Sequence, residues 1–440
     1  MLPDPSTLSA PPDEHVRLSE VISALSYALD LTEGQPEGHS VRTCLIGMRI
    51  GREIGLDAEA RSSLFYALLL KDAGCSSNSA ATCELFGADD HVVKQTWKIV
   101  DWSSRWQSIG HVVRNVRPGE SIVARVRQVV GFTRQEAPGT ELVRTRCERG
   151  ADIARMLEMT DDTAAAIRAL DEHWDGRGIP AGMRGEEIPL LARIACLAQT
   201  VEIFHSTHGV ETAFAVADDR AGRWFDPELV RALRGLRADG GFWAGLAGDC
   251  RAQAATLEPA DRVLVADGDR LDRIAHAFAR VIDAKSPYTY RHSEGVASYA
   301  DAVGRVLGFD ADALRDLRRA ALLHDVGKLG VSNRILDKPG KLTEEEFVSV
   351  RRHPEYSYRI LARVAPFRAL AETAASHHER MDGRGYHRGI PAGTLPTAAR
   401  VLAVADVCDA LSAERPYRAA MPRERVLQIM RGDAGPALCP

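Results

Sequence analysis

Long apolar runs and closely spaced cysteine pairs are both missing from this sequence of 440 residues. No uninterrupted apolar stretch approaches the roughly 20 residues that cross a bilayer. The first residues, MLPDPSTLSAPPDEH, lack the basic and apolar regions of a signal peptide. None of the eight cysteines forms a C-x-x-C pair, which argues against a zinc ribbon. We therefore expect a cytoplasmic protein with reduced thiols and no membrane partner.

An excess of positive charge is also missing. The chain has 56 Lys and Arg against 61 Asp and Glu, which gives a formal net charge of −5. Proteins that bind nucleic-acid polymers usually carry a basic surface, so we expect no such polymer as a partner. An anionic nucleotide would have to be held by local cations and metal ions.

The sequence contains an internal repeat. HWDGRGIPAGMRGEEIPLLARI (173–194) resembles RMDGRGYHRGIPAGTLPTAARV (380–401) at an offset of 207 residues. GHSVRTC (38–44) resembles RHSEGVA (291–297) at an offset of 253. The difference predicts 46 extra residues in the first copy, at about 73–145, where three of the six tryptophans occur.

Both copies have the apolar periodicity of helices. The leucines of ADALRDLRRAALLHDVGKLG recur at helical spacing, and Thr343 before a run of glutamates is typical of a helix cap. We predict an all-α fold of two tandem helical bundles joined by a helical linker. The predicted parts are a disordered tail (1–16), a first bundle (17–236), a linker (237–261) and a second bundle (262–440) that lacks a closing helix.

Metal-ligating side chains are concentrated in the second copy. Half of the fourteen histidines lie between residues 276 and 387. The candidate ligands are His292, His324, Asp325, His353, His377, His378 and Asp406. A single histidine is more often an ordinary core or surface residue, but a cluster of imidazoles and carboxylates is typical of a site that hydrolyses phosphate esters with two metals.

Four features together resemble the HD-GYP family of the HD phosphohydrolase superfamily. They are H-(x)31-HD-x-x-GK, a later histidine, HHE-x-x-DG-x-GY and D-x-x-DAL-x-x-x-RPYR. The resemblance covers about 270–434 in full form and about 17–236 in degraded form. It implies HD-type helical domains and a metal-dependent phosphodiesterase of bacterial signalling. The expected reaction is hydrolysis of cyclic di-GMP to pGpG or GMP, with two divalent ions, iron or manganese.

The family pattern also implies roles for the candidate ligands. Asp325 would bridge the two metals, and a metal-bridging hydroxide would attack phosphorus. The remaining ligands would divide into two shells, His292, His324 and Asp406 on one metal and His353, His377 and His378 on the other.

Four further residues are implied to contact the substrate. Lys328 matches the family lysine that contacts the phosphate, so with Asp325 it is a catalytic candidate. Tyr386 would stack on the ligand or hydrogen-bond to it. Arg415 and Arg418 would clamp phosphate, for which surface charge is an equal alternative.

Two positions depart from the family pattern. Gly385-Tyr386-His387 replaces GYP, and losing the proline frees a backbone N–H in a loop linked to substrate access. Tyr288 stands four residues before His292, where members with a third metal have glutamate. We therefore expect two metals, and a preference for the first cleavage over the second.

The first copy has lost most of the ligands. His39 and Asp72 keep the ligand type, whereas the other positions hold Lys71, Arg146, Leu170, Asp171 and Gln199. Cations at ligand positions repel a divalent ion, so we predict no metal in this copy. Its pocket would bind an anion or be closed by a Lys71–Asp72–Asp171 network.

The role of the first copy stays open at this stage. It could sense a ligand, pack against the second copy or build a homodimer, and Trp97, Trp102 and Trp106 offer contact area for the last. A buried core beneath the insert is the alternative for these tryptophans.

Three functions remain, with a cyclic di-GMP phosphodiesterase favoured. A phosphohydrolase for another nucleotide or phosphoester is the first alternative, and the altered GYP loop favours it. A signalling or interaction protein with low activity is the second, and the degenerate first copy favours it.

Overall fold

The structure, a computed structural model, describes residues 16–102, 104–132, 138–248, 250, 253–254, 256–259, 263–289, 291–414 and 419–440. Within these ranges the regular elements are α-helices and short 3-10 helices, accompanied by isolated β-bridges, and this confirms the all-α prediction. None of the described helices is long and apolar enough to cross a membrane. Arg415, Arg418 and the predicted tail, apart from Val16, lie outside the described residues.

The described residues form two compact units, 17–265 and 266–440, with Val16 counted in the second. The helices of the first unit are α1 (Leu18–Thr32), α2 (His39–Glu53), α3 (Ala58–Leu70), α4 (Ser79–Phe86), α5 (Asp90–Trp97), α6 (Arg105–Asn115), α7 (Ile122–Phe132), α8 (Pro138–Met156), α9 (Asp161–Arg168), α10 (Leu190–His208), α11 (Val210–Asp219), α12 (Pro227–Gly235) and α13 (Gly240–Gly245).

The helices of the second unit follow a similar order. They are α14 (Gly268–Asp283), α15 (His292–Val306), α16 (Ala311–Leu323), α17 (Asn333–Leu336), α18 (Glu344–Arg351), α19 (His353–Leu361), α20 (Arg368–Ala375), α21 (Thr397–Ser412) and α22 (Arg423–Asp433). Thr343 and Glu346 form the capping box that begins α18, as the sequence predicts.

The core of the first unit forms where α2 packs against α3 and α10. Ile46 of α2, Phe65 of α3 and Leu197 of α10 are fully buried, and each such side chain contributes about 1.5–3 kcal/mol. The segment predicted as a linker also adds to this unit. Trp243 is buried and packs on Phe214. Removing so large an apolar ring from water stabilises the fold.

The insert forms a small core of its own. Phe86 and Val93 are buried in it, and Trp97 packs edge-on against Phe86. The ring of Trp102 lies 3.9 Å from that of Trp97, whereas Trp106 is 83% exposed. Trp97 is therefore half-buried against this small core and Trp102 stacks on Trp97, whereas Trp106 lies on the surface.

In the second unit, α15 packs against α16 and α21, and α19 packs against α20. α19 also packs against a 3-10 turn, Val326–Gly330, that follows α16. A Cβ on Gly327 in this turn would lie 2.0 Å from the carbonyl oxygen of His353, so only glycine allows the approach.

The first unit repeats this contact at the offsets that the sequence predicts. A Cβ on Gly74 would lie 1.9 Å from the carbonyl oxygen of Arg146. Gly74 and Gly327 are 253 residues apart, and Arg146 and His353 are 207 apart. The backbone arrangement around the site is thus kept in the first copy, although its side chains have changed.

Candidate metal centre

The second unit brings the other six candidate ligands together around Asp325. Its Oδ2 lies 3.3 Å from Nε2 of His324 and 3.6 Å from that of His292. Its Oδ1 lies 3.3 Å from Nε2 of His353 and 3.6 Å from that of His377. The two oxygens of one carboxylate therefore face two different sets of imidazoles.

The remaining two candidates complete these sets. Asp406 Oδ1 lies 3.3 Å from His292 Nε2, and Asp406 Oδ2 lies 4.0 Å from His378 Nδ1. Ligand atoms close enough to share one ion form three overlapping groups among the described residues of this unit. These groups are His292, His324 and Asp406, then His353, His377 and His378, and then His324, Asp325 and His377. The first two coincide with the predicted metal shells.

Helix ends aim three of the imidazoles. His324 ends α16, His353 begins α19 and His377 follows α20. Each has Nδ1 within 2.6–2.7 Å of the backbone carbonyl three residues earlier. Since Nδ1 donates to that carbonyl, Nε2 keeps its lone pair and points to the centre.

His292 is oriented differently, by a carboxylate. It is the first residue of α15, and its Nδ1 lies 2.6 Å from Asp409 Oδ2 on α21. Burial opposes a charge on this imidazole, but hydrogen bonds to Asp406 and Asp409 outweigh it and raise the pKa of His292 to about 9. The same negative field would attract a cation.

The protonation states of the other groups suit a metal ligand set. Burial would raise the pKa of Asp325, but His324 and Lys328 outweigh it and hold that pKa well below its usual range. Burial lowers the pKa of His353 to about 4 and also lowers the pKa of His378. An ionised carboxylate and neutral imidazoles are the forms that bind a divalent ion.

Unsatisfied atoms at the centre test the fit to cations. Nε2 of His324 and Oδ1 of Asp325 are buried without a hydrogen-bond partner in the described structure. Nε2 of His353 lies 3.1 Å from Nε2 of His377, although Nδ1 of each ring already faces a carbonyl. Facing lone pairs in a buried site cost free energy unless a cation lies between them. The residues therefore fit divalent cations.

A cavity of about 810 Å³ opens beside the centre, with Asp325 and Lys328 on its wall. Lys328 Nζ donates to Asp325 Oδ2 at 2.5 Å, and the lysine side chain is 20% exposed. Phe347 lines the same cavity. The centre of the Tyr386 ring lies 6.3 Å from that of the Phe347 ring and 4.5 Å from that of the His378 ring. The volume lies within the ~300–1,000 Å³ of small-molecule sites.

The substituted loop adds no ligand to these groups. His387 is not among the described ligand clusters, and its φ of 104° lies in the region that favours glycine. The loop is held instead by Glu379, which accepts from the backbone N–H of Arg388 and Ile390.

Sequence reasoning assigned no role to three carboxylates that support the site. Asp409 orients His292, Glu379 holds the loop, and Asp283 accepts from Ser293 Oγ at 2.7 Å. The motif D-x-x-DAL contained Asp409, one helical turn after Asp406, and this spacing was the available signal.

In the first unit, two ammonium groups flank the carboxylate that matches Asp325. Lys71 Nζ donates to Asp72 Oδ2 and lies 2.9 Å from His39 Nε2. Lys98 Nζ lies 3.1 Å from Asp72 Oδ1 and 2.8 Å from Glu33. The Lys71 and Lys98 side chains are at most 5% exposed, so each oxygen of Asp72 faces a buried positive charge.

Glu33, Asp72 and Cys75 also place ligand atoms close together. Lys98 pairs with both of these carboxylates, and burial raises the pKa of Cys75, which keeps its thiol protonated. A divalent ion would meet a charge already neutralised and a weak ligand.

One predicted contact of the first copy needs correction. Asp171 does not join Lys71 and Asp72 but pairs with Arg146, because that guanidinium takes the position of a lost histidine beside it. The support of His39 is retained. Its Nδ1 pairs with Glu202, which lies 207 residues before Asp409.

Comparisons with known proteins agree with this architecture. A family model described as HD domain matches residues 137–229 and 276–438. The 3'3'-cGAMP-specific phosphodiesterase 3 of Vibrio cholerae is 46% identical over 426 residues, which are 96% of this chain and 92% of that protein. A cyclic di-GMP phosphodiesterase of Thermotoga maritima is 38% identical over 154 residues, which are 34% of this chain and 42% of that protein.

A solved structure is similar over nearly the whole chain. It is the crystal structure of a cyclic GMP-AMP-specific phosphodiesterase of V. cholerae, with a TM-score of 0.66 and 41% identity. The match covers 96% of this chain and 95% of that one. The chain therefore belongs to the HD-GYP family of HD-type phosphodiesterases.

Proposed function

We propose that the chain hydrolyses a 3'3'-linked cyclic dinucleotide, and that 3'3'-cGAMP is its preferred substrate. The observation that carries this proposal is the 46% identity, over 96% of the chain, to a phosphodiesterase named as specific for 3'3'-cGAMP. The convergence of six ligand side chains around Asp325, beside a cavity of about 810 Å³, supports it. Opening one phosphodiester would give a linear dinucleotide.

Two divalent ions would be held by the two ligand groups, with Asp325 shared between them. Nitrogen and carboxylate ligands of this kind suit iron or manganese. When bound, the ions supply Lewis acidity, which lowers the pKa of water and neutralises charge on the phosphate. The protein's part is to hold every imidazole in one tautomer and orientation, through the carbonyl contacts of His324, His353 and His377 and through Asp409 for His292.

Lys328 would bind the reacting phosphate. Its side chain reaches Asp325 from the cavity wall, so its ammonium would lie next to a phosphate bound at the centre. An ammonium there stabilises a phosphate in both the ground state and the transition state.

Aromatic side chains would take one base. Phe347 lines the cavity, Tyr386 lies next to it, and the Arg351 guanidinium lies 4.3 Å from the Phe347 ring centre. Stacking on aromatic rings is worth about 1–3 kcal/mol per base. Arg415 and Arg418 remain proposed phosphate ligands from the sequence pattern alone.

Cyclic di-GMP is the second candidate substrate. The T. maritima relative and a Pseudomonas aeruginosa relative, 43% identical over 132 residues, carry that substrate in their names. Both matches cover about a third of this chain. The first relative covers nearly all of it, which moves 3'3'-cGAMP ahead of the cyclic di-GMP expected from the sequence.

We also propose a cytoplasmic location, because all eight cysteines are free in the structure and a nucleotide messenger is intracellular. We also keep the homodimer as a proposal, which rests on the family resemblance alone.

The test uses the full chain, loaded anaerobically with iron or manganese and assayed against 3'3'-cGAMP, cyclic di-GMP and other phosphoesters. We expect the highest kcat/KM for 3'3'-cGAMP. Asp325→Ala and His324→Ala should abolish turnover without unfolding the bundle, whereas Asp312→Asn, at an exposed position of α16, should not. Preference for cyclic di-GMP would reverse the order of substrates. Turnover of other phosphoesters alone, or none despite bound metal, would refute the proposal.

A further inference from the structure

The cavity beside the metal centre extends to a lysine-bearing loop that the proposed reaction does not use. Asp325 and Lys328 line this cavity beside the metal centre. The loop residues Lys338, Gly340 and Lys341 line the same cavity. The loop joins α17 to α18 and has the sequence Asp-Lys-Pro-Gly-Lys-Leu (337–342). Its two lysines face a shared ligand volume.

A cyclic dinucleotide brings two phosphates into one cavity. The ring is closed, so when one phosphodiester lies at the centre beside Lys328, the second must lie elsewhere in the cavity or in solvent. A second phosphate removed from water without a cation would cost free energy. Cations on the wall away from Lys328 are therefore the candidates to bind it.

The other charged groups on the wall are less suited. Asp283 is buried and accepts from Ser293, and Glu344 is exposed and negative. Lys285 is itself buried, at 2% exposure, and lies two residues after the end of α14. Among the described residues of this wall, Lys338 and Lys341 are the partly or fully exposed cations that remain besides Lys328.

Lys338 is held in place by its surroundings. Its Nζ lies 2.5 Å from Oε2 of Glu346, and the same oxygen accepts from the backbone N–H of Thr343 at 2.7 Å. The capping box of α18 thus fixes the carboxylate that orients the lysine. Fixing a long side chain beforehand reduces the entropy lost when a ligand binds.

Lys341 has a charge that is free to bind an anion. It is exposed, and no hydrogen bond or ion pair to its ammonium occurs among the described residues. Gly340 separates it from Pro339 with a φ of 149°, a conformation that permits the loop to reverse between the two lysines.

We propose that Lys338 and Lys341 form the subsite for the second, non-reacting phosphate of the cyclic dinucleotide, with Glu346 as the positioning residue. The proposal rests on the proposed function, because it requires a substrate with two phosphates. It assigns Lys328 to the reacting phosphate and the loop lysines to the other, and it leaves Arg415 and Arg418 as proposed ligands of either phosphate. Lys338 and Lys341 therefore favour cyclic dinucleotides over phosphodiesters with one phosphate.

The test compares 3'3'-cGAMP with bis(p-nitrophenyl) phosphate, which has one phosphate, in the metal-loaded full chain. We define the ratio as kcat/KM for 3'3'-cGAMP divided by kcat/KM for bis(p-nitrophenyl) phosphate. For Lys341→Gln and for Lys338→Gln we expect this ratio to fall about tenfold, the effect of losing one charged hydrogen bond. The loss should appear mainly as a higher KM for 3'3'-cGAMP, because the contact is made before and during the reaction. Lys341→Arg should recover most of the ratio.

Two further variants make the readout specific. Lys328→Gln should lower kcat/KM for both substrates, and Glu346→Gln should change the ratio in the same direction as Lys338→Gln, by a smaller factor. Arg315→Gln, an exposed cation on α16, is the matched control for loss of charge. An unchanged ratio in the double variant Lys338→Gln with Lys341→Gln would overturn the subsite while leaving the proposed function intact. If the chain hydrolysed bis(p-nitrophenyl) phosphate but none of the cyclic dinucleotides, both the subsite and the proposed function would be overturned.

Discussion

The ammonium of Lys71 lies 2.9 Å from Nε2 of His39, the one histidine of the first copy that keeps a ligand position. In the second copy the corresponding nitrogen, Nε2 of His292, faces Asp325 and Asp406 instead. The imidazole at this ligand position thus faces a lysine ammonium in one unit and a pair of carboxylates in the other.

This contrast predicts where the metal of the full chain is bound. The double variant Asp325→Asn with Asp406→Asn should lose all tightly held divalent ions, because the first copy has two buried ammonium groups at its own centre. Elemental analysis after gel filtration measures the metal content per chain. Asp312→Asn, on exposed surface, is the control and should keep the ions. One ion per chain remaining in the double variant would contradict the prediction.

Asp409 is predicted to act through His292. Asp409→Asn should reduce metal affinity or activity about 10–100-fold, because the imidazole loses the carboxylate that fixes its tautomer. Titration with manganese, followed by turnover, separates the two effects.

The matched variant comes from the first copy, where Glu202 pairs with His39 in the equivalent arrangement. Asp409→Glu should therefore keep most of the affinity that Asp409→Asn loses. Equal losses in both variants would show that the carboxylate has no such orienting role.

Acid should destabilise the first unit through its buried carboxylates. Burial opposes ionisation of Glu33, but Lys98 and Lys94 outweigh it and lower its pKa to about 2, from an ordinary value near 4.5. A carboxyl whose pKa is depressed in the folded state adds stability above its unfolded pKa and loses it on protonation. The unfolding free energy of this unit should fall as pH decreases from about 4.5 toward 2.

Lys98→Met tests the same network at neutral pH. Removing one partner of a buried ion pair costs about 3–5 kcal/mol, and this cost should shrink as the pH is lowered and Glu33 becomes protonated. Denaturant unfolding at several pH values measures both effects. Arg144→Gln removes an exposed arginine of the same unit and should cost far less. A loss independent of pH would speak against the ion network.

A strained residue precedes the metal centre. Arg291 has a φ of 57° at the start of α15, where Gly38 has a φ of 85° at the start of α2. A side chain in the left-handed region costs about 1–2 kcal/mol. Arg291→Gly should therefore be more stable than Arg291→Ala by about 1 kcal/mol, measured by denaturant unfolding of the full chain. Equal stability of the two variants would remove the assigned strain.

The helical fold and the convergence of the ligands followed from local patterns. The leucine spacing before His324 predicted α16, and the repeat offsets predicted which positions of the two copies correspond, as the equivalent contacts of Gly74 and Gly327 show. These features depend on spacing along the chain, which a sequence records directly.

Contacts across the chain were harder to anticipate. Lys98 lies in the insert, so no position in the second copy pointed to its pairing with Asp72 and Glu33. Arg146 and Asp171 pair because the fold places them side by side, although 25 residues of sequence separate their positions. A charged residue in an apolar segment signals that it needs a partner, but only the fold determines which one.

The source of Lys98 makes the loss of the first site difficult to reverse. A histidine restored at position 71 would still face the second ammonium, which comes from outside the repeated segment. Excising the insert would instead leave Glu33 and Asp72 buried without that cation. Neither change alone therefore restores ion binding in the first copy, because the first leaves a buried ammonium at the centre and the second leaves two buried carboxylates without their cation.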